Sequence, residues 1–251
     1  MSLGVNLNPD KACNFDCVYC SVDRTVASEV STVDEQVLER ELQSLSGLVS
    51  TGAIWSEPPF DRTPPHLRRW NDIAFSGDGE PTSYAGFPRM LALAGRTIAG
   101  HQADARIVII TNATLFQKAT VREALLGLSA RDEVWAKLDA GSEDWYRAVD
   151  RSDVPLSRIL GNIRDLGRLR PVVIQALWCR LHGEAPPEHE LDAWAGRLKW
   201  LVDEGAHIDR VQVYTTARET TEPWATALTE GELEGIAERV RELGLKAEVH
   251  A

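Results

Sequence analysis

The chain predicts an α/β fold built on a parallel sheet. Three observations carry this. Short apolar runs of strand length alternate with stretches of helical periodicity along all 251 residues. Polar, glycine-containing segments repeatedly follow the strand runs. Internal repeats and low-complexity tracts are absent, so each βα unit stands on its own pattern.

The first strand is Leu3–Leu7 (LGVNL). Thr32–Leu48 follows as an amphipathic helix, with Val33, Val37, Leu38, Leu42 and Leu45 at helical spacing. Residues 52–70 are rich in proline and mixed charge and read as an irregular excursion. Asp72–Ser76 is a strand and Phe87–Ala99 a helix. Arg106–Thr111 (RIVIIT) has the pattern of a buried strand, and a helix is expected at Gln117–Leu128. Then come a strand at Glu133–Leu138, a helix at Leu156–Leu166, a strand at Pro171–Cys179 and a helix at Glu188–Glu204. Asp209–Thr215, a helix at Thr229–Leu243 and a short strand at Lys246–His250 complete the pattern. Six or seven βα units imply right-handed crossovers. An open doubly wound sheet and a (β/α) barrel both fit, and both place function at the C-terminal ends of the strands. The polar segments SGDGEPT, TNAT, KLDAG, CRLHG and TTAR fall at those ends, which points to a single active site there.

Composition bounds the setting. With 43% hydrophobic and 26% charged residues the chain is ordinary for a globular protein. No apolar run approaches the length of a membrane span and no leader-like stretch opens the sequence, so a cytoplasmic location without membrane attachment is expected. A net charge of −11, from 38 acidic residues against 27 basic ones, disfavours a broad nucleic-acid footprint.

Residues 13–20 read CNFDCVYC, so three of the four cysteines fall in a CxxxCxxC spacing. A closed structural zinc site needs four ligands, commonly two CxxC pairs. Here the histidines are scattered singly and Cys179 lies far along the chain. Three thiolates in one loop suit three irons of a cubane cluster, with the fourth iron open to an exchangeable ligand. A zinc knuckle completed by a distant histidine is the competing reading. A second reading of function is a non-catalytic iron–sulfur or zinc module for redox sensing or partner binding.

At this motif the chain resembles the radical S-adenosylmethionine (SAM) superfamily. GVNLNPDKACNFDCVYC, GDGEPT, ITNAT, KLDAG and VQVYTTAR together are similar to the branch of iron–sulfur oxidoreductases related to the wybutosine-base-forming enzymes. The resemblance covers nearly the whole chain. It implies a partial (β/α)6 barrel in a single domain over residues 1–251, with the cluster loop at 8–24 and a C-terminal helix and strand at 229–250. It also implies a [4Fe–4S] cluster on Cys13, Cys17 and Cys20, and reductive cleavage of SAM to a 5′-deoxyadenosyl radical. A flavodoxin- or ferredoxin-like donor would supply the electron. The substrate would be a small molecule or nucleoside; a tRNA base fits the branch, although the acidity weighs against tRNA.

Further roles follow from that chemistry. Within Gly77–Pro81, Glu80 is expected to accept the methionine ammonium beside the Gly79 backbone. Asp78 stands where the family commonly has glycine. Asn112 and Asp139, just past neighbouring strands, suit the ribose or the methionine carboxylate, and equally suit turn and helix caps. Tyr19 suits a place beside adenine. Gln175 alternates inward with Val173 and Leu177, as a lumen residue or a hydrogen-bonded core glutamine. Lys137 shares a face with Trp135 and Asp139. An inward ammonium must pair with a carboxylate of ligand or barrel, or serve as an imine-forming amine. Arg218 after the sixth strand is a candidate anion clamp. Cys179, ending the fifth strand, is either a hydrogen-atom donor or a small buried hydrophobe.

Overall fold

Seven parallel strands lie side by side in a computed structural model that describes residues 1–251. They are β1 (Ser2–Val5), β2 (Asp72–Phe75), β3 (Arg106–Thr111), β4 (Glu133–Lys137), β5 (Val172–Leu177), β7 (Ile208–Tyr214) and β9 (Ala247–His250). Every neighbouring pair is parallel, and spatial order follows chain order. A doubly wound sheet would reverse direction at a switch point. This one never does, so its right-handed crossovers carry all the connecting helices to one face. β1 and β9 each pair on one side only, which leaves the barrel incomplete.

Strand alternation divides the sheet between oil and water. Ile107 and Ile109 of β3, Val134 and Ala136 of β4, Ile174 of β5 and Val211 and Val213 of β7 point outward into the core beneath the helices. The opposite, concave face carries Lys137, Gln175, Gln212 and Glu248, which are register neighbours across four strands. The helices are α1 (Glu35–Ser50), α2 (Phe87–Gly100), α3 (Ala119–Leu126), α4 (Glu143–Val149), α5 (Leu156–Gly167), α6 (Glu188–Asp203) and α7 (Glu230–Glu242). Their ends follow local chemistry. Asp34 caps α1 through the Gln36 and Val37 N–H groups, and Thr229 and Glu232 cap each other's backbone at α7.

Three elements depart from the sequence pattern. α4 occupies a segment read as connection; Ser142 caps it, and at seven residues it is too short to show a period. The predicted strand through Cys179 stops at Leu177. Cys179–Leu181 (β6) instead pairs antiparallel with Ala225–Ala227 (β8) in a separate two-stranded sheet at the barrel mouth. The excursion at 52–70 contains three single 3-10 turns. No helix is long and apolar enough to cross a membrane.

Candidate active site

The cluster loop leaves β1 and crosses the C-terminal mouth of the sheet. Its seating is made by backbone. Asp16 N–H donates to the Asp150 carbonyl (3.0 Å) and Val18 N–H to Val149 (2.8 Å), at the end of α4. Thr221 N–H donates to the Cys20 carbonyl (2.8 Å), and Glu80 N–H to Ala12 (3.1 Å). Gly79 is required at that last contact: a Cβ there would lie 2.1 Å from the Ala12 carbonyl oxygen. Lys11 folds the loop's far end back, its ammonium donating to the Asp23 and Val26 carbonyls.

All three thiols of the motif line one cavity of about 190 Å³, together with Tyr19, Arg24, Gly77, Gly79, Glu80, Asn112 and Lys137. Cys13 Sγ accepts from Phe15 N–H (3.4 Å) and from the Asn112 amide (3.9 Å). Cys20 Sγ accepts from Val22 N–H and from the Arg24 guanidinium, both at 3.4 Å. Cys17 donates to the Asp150 carboxylate (3.4 Å), and burial first, then that carboxylate, pushes its thiol well up. No three His, Cys, Asp or Glu side chains converge on a single ion position. Three thiols spread around one cavity fit ligands that each take a different iron of a cubane cluster.

Glu80 is buried and busy. Its Oε1 accepts from the Thr111 hydroxyl (2.7 Å), from Thr82 N–H (3.1 Å) and from the Thr82 hydroxyl, and its Oε2 from Asn112 N–H (2.8 Å). Burial pushes its carboxyl up while these donors pull it down. Pro81 opens the 3-10 turn that follows. Asp78 turns its carboxylate outward to the Asn6 amide (2.8 Å). Asn112 donates to Asn14 Oδ1 (2.6 Å) and accepts from Thr114, which fixes the end of β3 to the cluster loop.

Asp139 has no side-chain exposure, and it does not cap α4. Its Oδ1 accepts from Leu177 N–H (2.8 Å), and its Oδ2 from the Tyr19 hydroxyl and from Lys137 Nζ (3.3 Å). Lys137 also donates to the Tyr214 hydroxyl (2.7 Å) and lies 4.9 Å from the Tyr19 ring centre. Burial works against its charge, but Asp139 and Tyr214 outweigh that and hold the ammonium above its ordinary value. So Tyr19 is anchored into the barrel by its hydroxyl.

Asp78, Pro81 and Asp139 do not line the cavity, and three further predicted positions fall elsewhere. Gln175 lies on the concave face and donates to Gln212 Oε1 (3.0 Å), outside the cavity's lining. Cys179 is buried with Val18, Val149, Leu177 and Ala225, outside the cavity's lining, and burial pushes its thiol up to about 12. The strand break after Leu177 removes it from the barrel face. Arg218 is exposed in the loop between β7 and β8 and lines a different, shallow depression. Sequence reasoning missed Asp150, Arg24 and Tyr214. Tyr214 was within reach, since it alternates with Gln212 on the inner face. Asp150 caps the C-terminal end of the short helix that left no pattern.

The sheet and its strand order are shared with solved structures of radical SAM enzymes. The chain superposes over 98% of its length on a radical SAM methyltransferase from Sphaerobacter thermophilus, at a TM-score of 0.67 and 13% identity, covering 65% of that chain. Streptococcus suis SuiB bound to S-adenosylmethionine matches all of this chain and 51% of its own, with a TM-score of 0.64 and 15% identity. TYW1 with a lysine–pyruvate adduct bound matches 92% of this chain and 70% of its own, with a TM-score of 0.58 and 18% identity. Among curated sequences, a protein named GTPase Obg from Brachyspira hyodysenteriae is 25% identical over 93% of this chain and 30% of its own length. UPF0026 protein MJ1312 from Methanocaldococcus jannaschii is 29% identical over 63% of this chain and 43% of its own. The chain thus spans less than half the length of either curated relative. No family model matches it.

Proposed function

We propose that the chain is a radical SAM enzyme in which Cys13, Cys17 and Cys20 hold a [4Fe–4S] cluster and SAM occupies the adjoining cavity. The observation that carries this is the meeting of all three thiols with Gly79, Glu80, Asn112 and Lys137 around one cavity at the strands' C-terminal mouth. When bound, the cluster supplies the electron that cleaves SAM to the 5′-deoxyadenosyl radical. The chain's own residues bind and orient. The turn at Gly77–Pro81 is held against the cysteine loop, and its backbone would bind the methionine end of SAM beside the three thiols. Glu80 fixes that turn to the end of β3, with one lone pair of Oε2 left for an ammonium. Lys137, kept protonated by Asp139, offers positive charge rather than a free amine; this favours anion recognition over imine formation. Tyr19, held by its hydroxyl to Asp139, lines the cavity and keeps water from the reacting region.

A flavodoxin- or ferredoxin-like protein is the proposed donor. The proposed substrate is a small molecule or nucleoside, and the charge of −11 disfavours tRNA. The test is anaerobic reconstitution with iron and sulfide, then incubation with dithionite and SAM. Release of 5′-deoxyadenosine is expected, and C17A should abolish it together with the brown chromophore. A four-iron C17A protein that cleaves SAM normally would defeat the cysteine assignment, and a chain that takes up zinc and leaves SAM intact would favour a non-catalytic metal module.

A further inference from the structure

Arg24 lies four residues after the last cysteine of the motif, in a stretch without regular structure. Its guanidinium makes contacts of three kinds. One nitrogen donates to Cys20 Sγ (3.4 Å), the other donates to the Asp78 carbonyl (3.3 Å), and Asp16 stands 4.0 Å away. The Nε–H is enclosed and has no partner. The side chain is 24% exposed, and it forms a wall shared by the cluster cavity and an outer polar groove bounded by Asp16, Thr25, Arg151 and Glu222. No cation hydrogen-bonds to the other two cysteines: Cys13 accepts from a backbone N–H and an amide, and Cys17 faces Asp150. The three sulfurs are therefore electrostatically unequal, with the one guanidinium at the Cys20 corner.

We propose that Arg24 is a positioning residue for that corner, fastening the Cys20 sulfur to the turn after β2 and raising the reduction potential of the cluster. The proposal rests on the reading that Cys13, Cys17 and Cys20 hold a [4Fe–4S] cluster. Hydrogen bonds to cluster sulfurs withdraw electron density and, with net charge and solvent exposure, set the potential. A positive charge stabilises the reduced cluster, the more negative of its two states. Arginine does not lose its proton in proteins, so this contribution does not change with pH. Asp16 opposes it weakly, because that carboxylate is 62% exposed and screened by water. The Asp78 carbonyl ties the charge to the turn that carries Gly79 and Glu80, so the cluster's potential and the placing of the methionine-binding turn depend on one side chain.

The test uses the full chain as wild type, R24M and R24K. Each is reconstituted anaerobically, assayed for iron and sulfide, and titrated with dithionite against redox dyes while the reduced cluster is followed by electron paramagnetic resonance. Equal iron is expected in all three. R24M should have the most negative potential, and R24K, which keeps the charge but loses the fork, should lie between it and wild type. A fully loaded R24M at the wild-type potential overturns the proposal, as does an R24K identical to R24M. If R24M fails to assemble, R24K decides alone: a lower potential than wild type supports the role, and equality overturns it. Failure of both variants to load overturns it too, since Arg24 would then be needed to build the site rather than to tune it. A wild type that takes up no iron and sulfide defeats the cluster reading itself, which is a separate outcome.

Discussion

Lys137 and Glu80 are both charged groups at the mouth, Glu80 buried and Lys137 with 15% of its side chain exposed, and their neighbours predict different consequences of removal. K137M leaves Asp139 without its cation but still accepting from Leu177 N–H and the Tyr19 hydroxyl. The loss should sit near the lower end of the range for a broken buried pair, about 3 kcal/mol, read from urea unfolding of the metal-free protein. If K137M unfolds at the wild-type midpoint, the ion pair with Asp139 contributes nothing to stability. E80A strips partners from Thr82, Thr111 and the Asn112 N–H together. It should cost at least about 1–3 kcal/mol in the same assay, and it should weaken SAM binding because the turn it anchors is released. Weaker SAM binding with unchanged stability would instead make Glu80 a direct ligand that does little to hold the turn. That distinction was beyond the sequence. GDGEPT announces a turn with an acid in it, but two of the donors that occupy the acid, the Thr111 hydroxyl and the Asn112 N–H, come from the end of a strand 31 and 32 positions away.

Gly79 shows how one element fits another. G79A puts a methyl into the Ala12 carbonyl, and neither backbone can yield without moving the cluster loop or the turn. A loss of about 1–3 kcal/mol and reduced iron uptake are expected, measured by melting and by iron assay after reconstitution. The start of α1 carries a pH-dependent tie. Glu35 accepts from Arg89 of α2 and from the Tyr84 hydroxyl, and these bonds, the arginine's first, hold its carboxyl below the ordinary range. A depressed carboxylate stabilises the fold at neutral pH and loses that contribution as pH falls through its lowered value. The gap in melting temperature between wild type and E35Q should therefore be small at pH 7 and close toward pH 3; a constant gap would show that the charge is not involved. The parallel strands and long helices were legible because burial writes a period into them, and the three cysteines because no other part of the chain resembles that spacing. α4, β6 and β8 were not legible. Each is a short piece specified by what it packs on: the cluster loop for α4, and the small apolar cluster around Val18, Cys179 and Ala225 for the hairpin.

Across the molecule, the two ends of the barrel divide the labour. At the end opposite the mouth, Arg210 joins three strands through Glu133 (2.7 Å), Asp209 (2.8 Å) and Glu248 (3.0 Å), and Arg106 meets Glu133 from a fourth. R210M should lower stability by up to about 3 kcal/mol while leaving iron content after reconstitution unchanged; a parallel loss of iron would show that the ends are coupled. The strand order has one more consequence, which concerns how such a chain is made. Strands that pair in the order of synthesis can zip as they emerge, each finding its partner already in place. The cysteine loop cannot finish that way. It emerges with the first strand, but the groups that pin it are Val149 and Asp150, then Thr221, which lies some 200 positions later. Until most of the polypeptide has left the ribosome the three thiols hang on an unfastened loop, open to oxidation and to stray metal. Folding is therefore ordered by connectivity, scaffold first and clasp last, and a metal group held by these thiols would be built only after the clasp has closed.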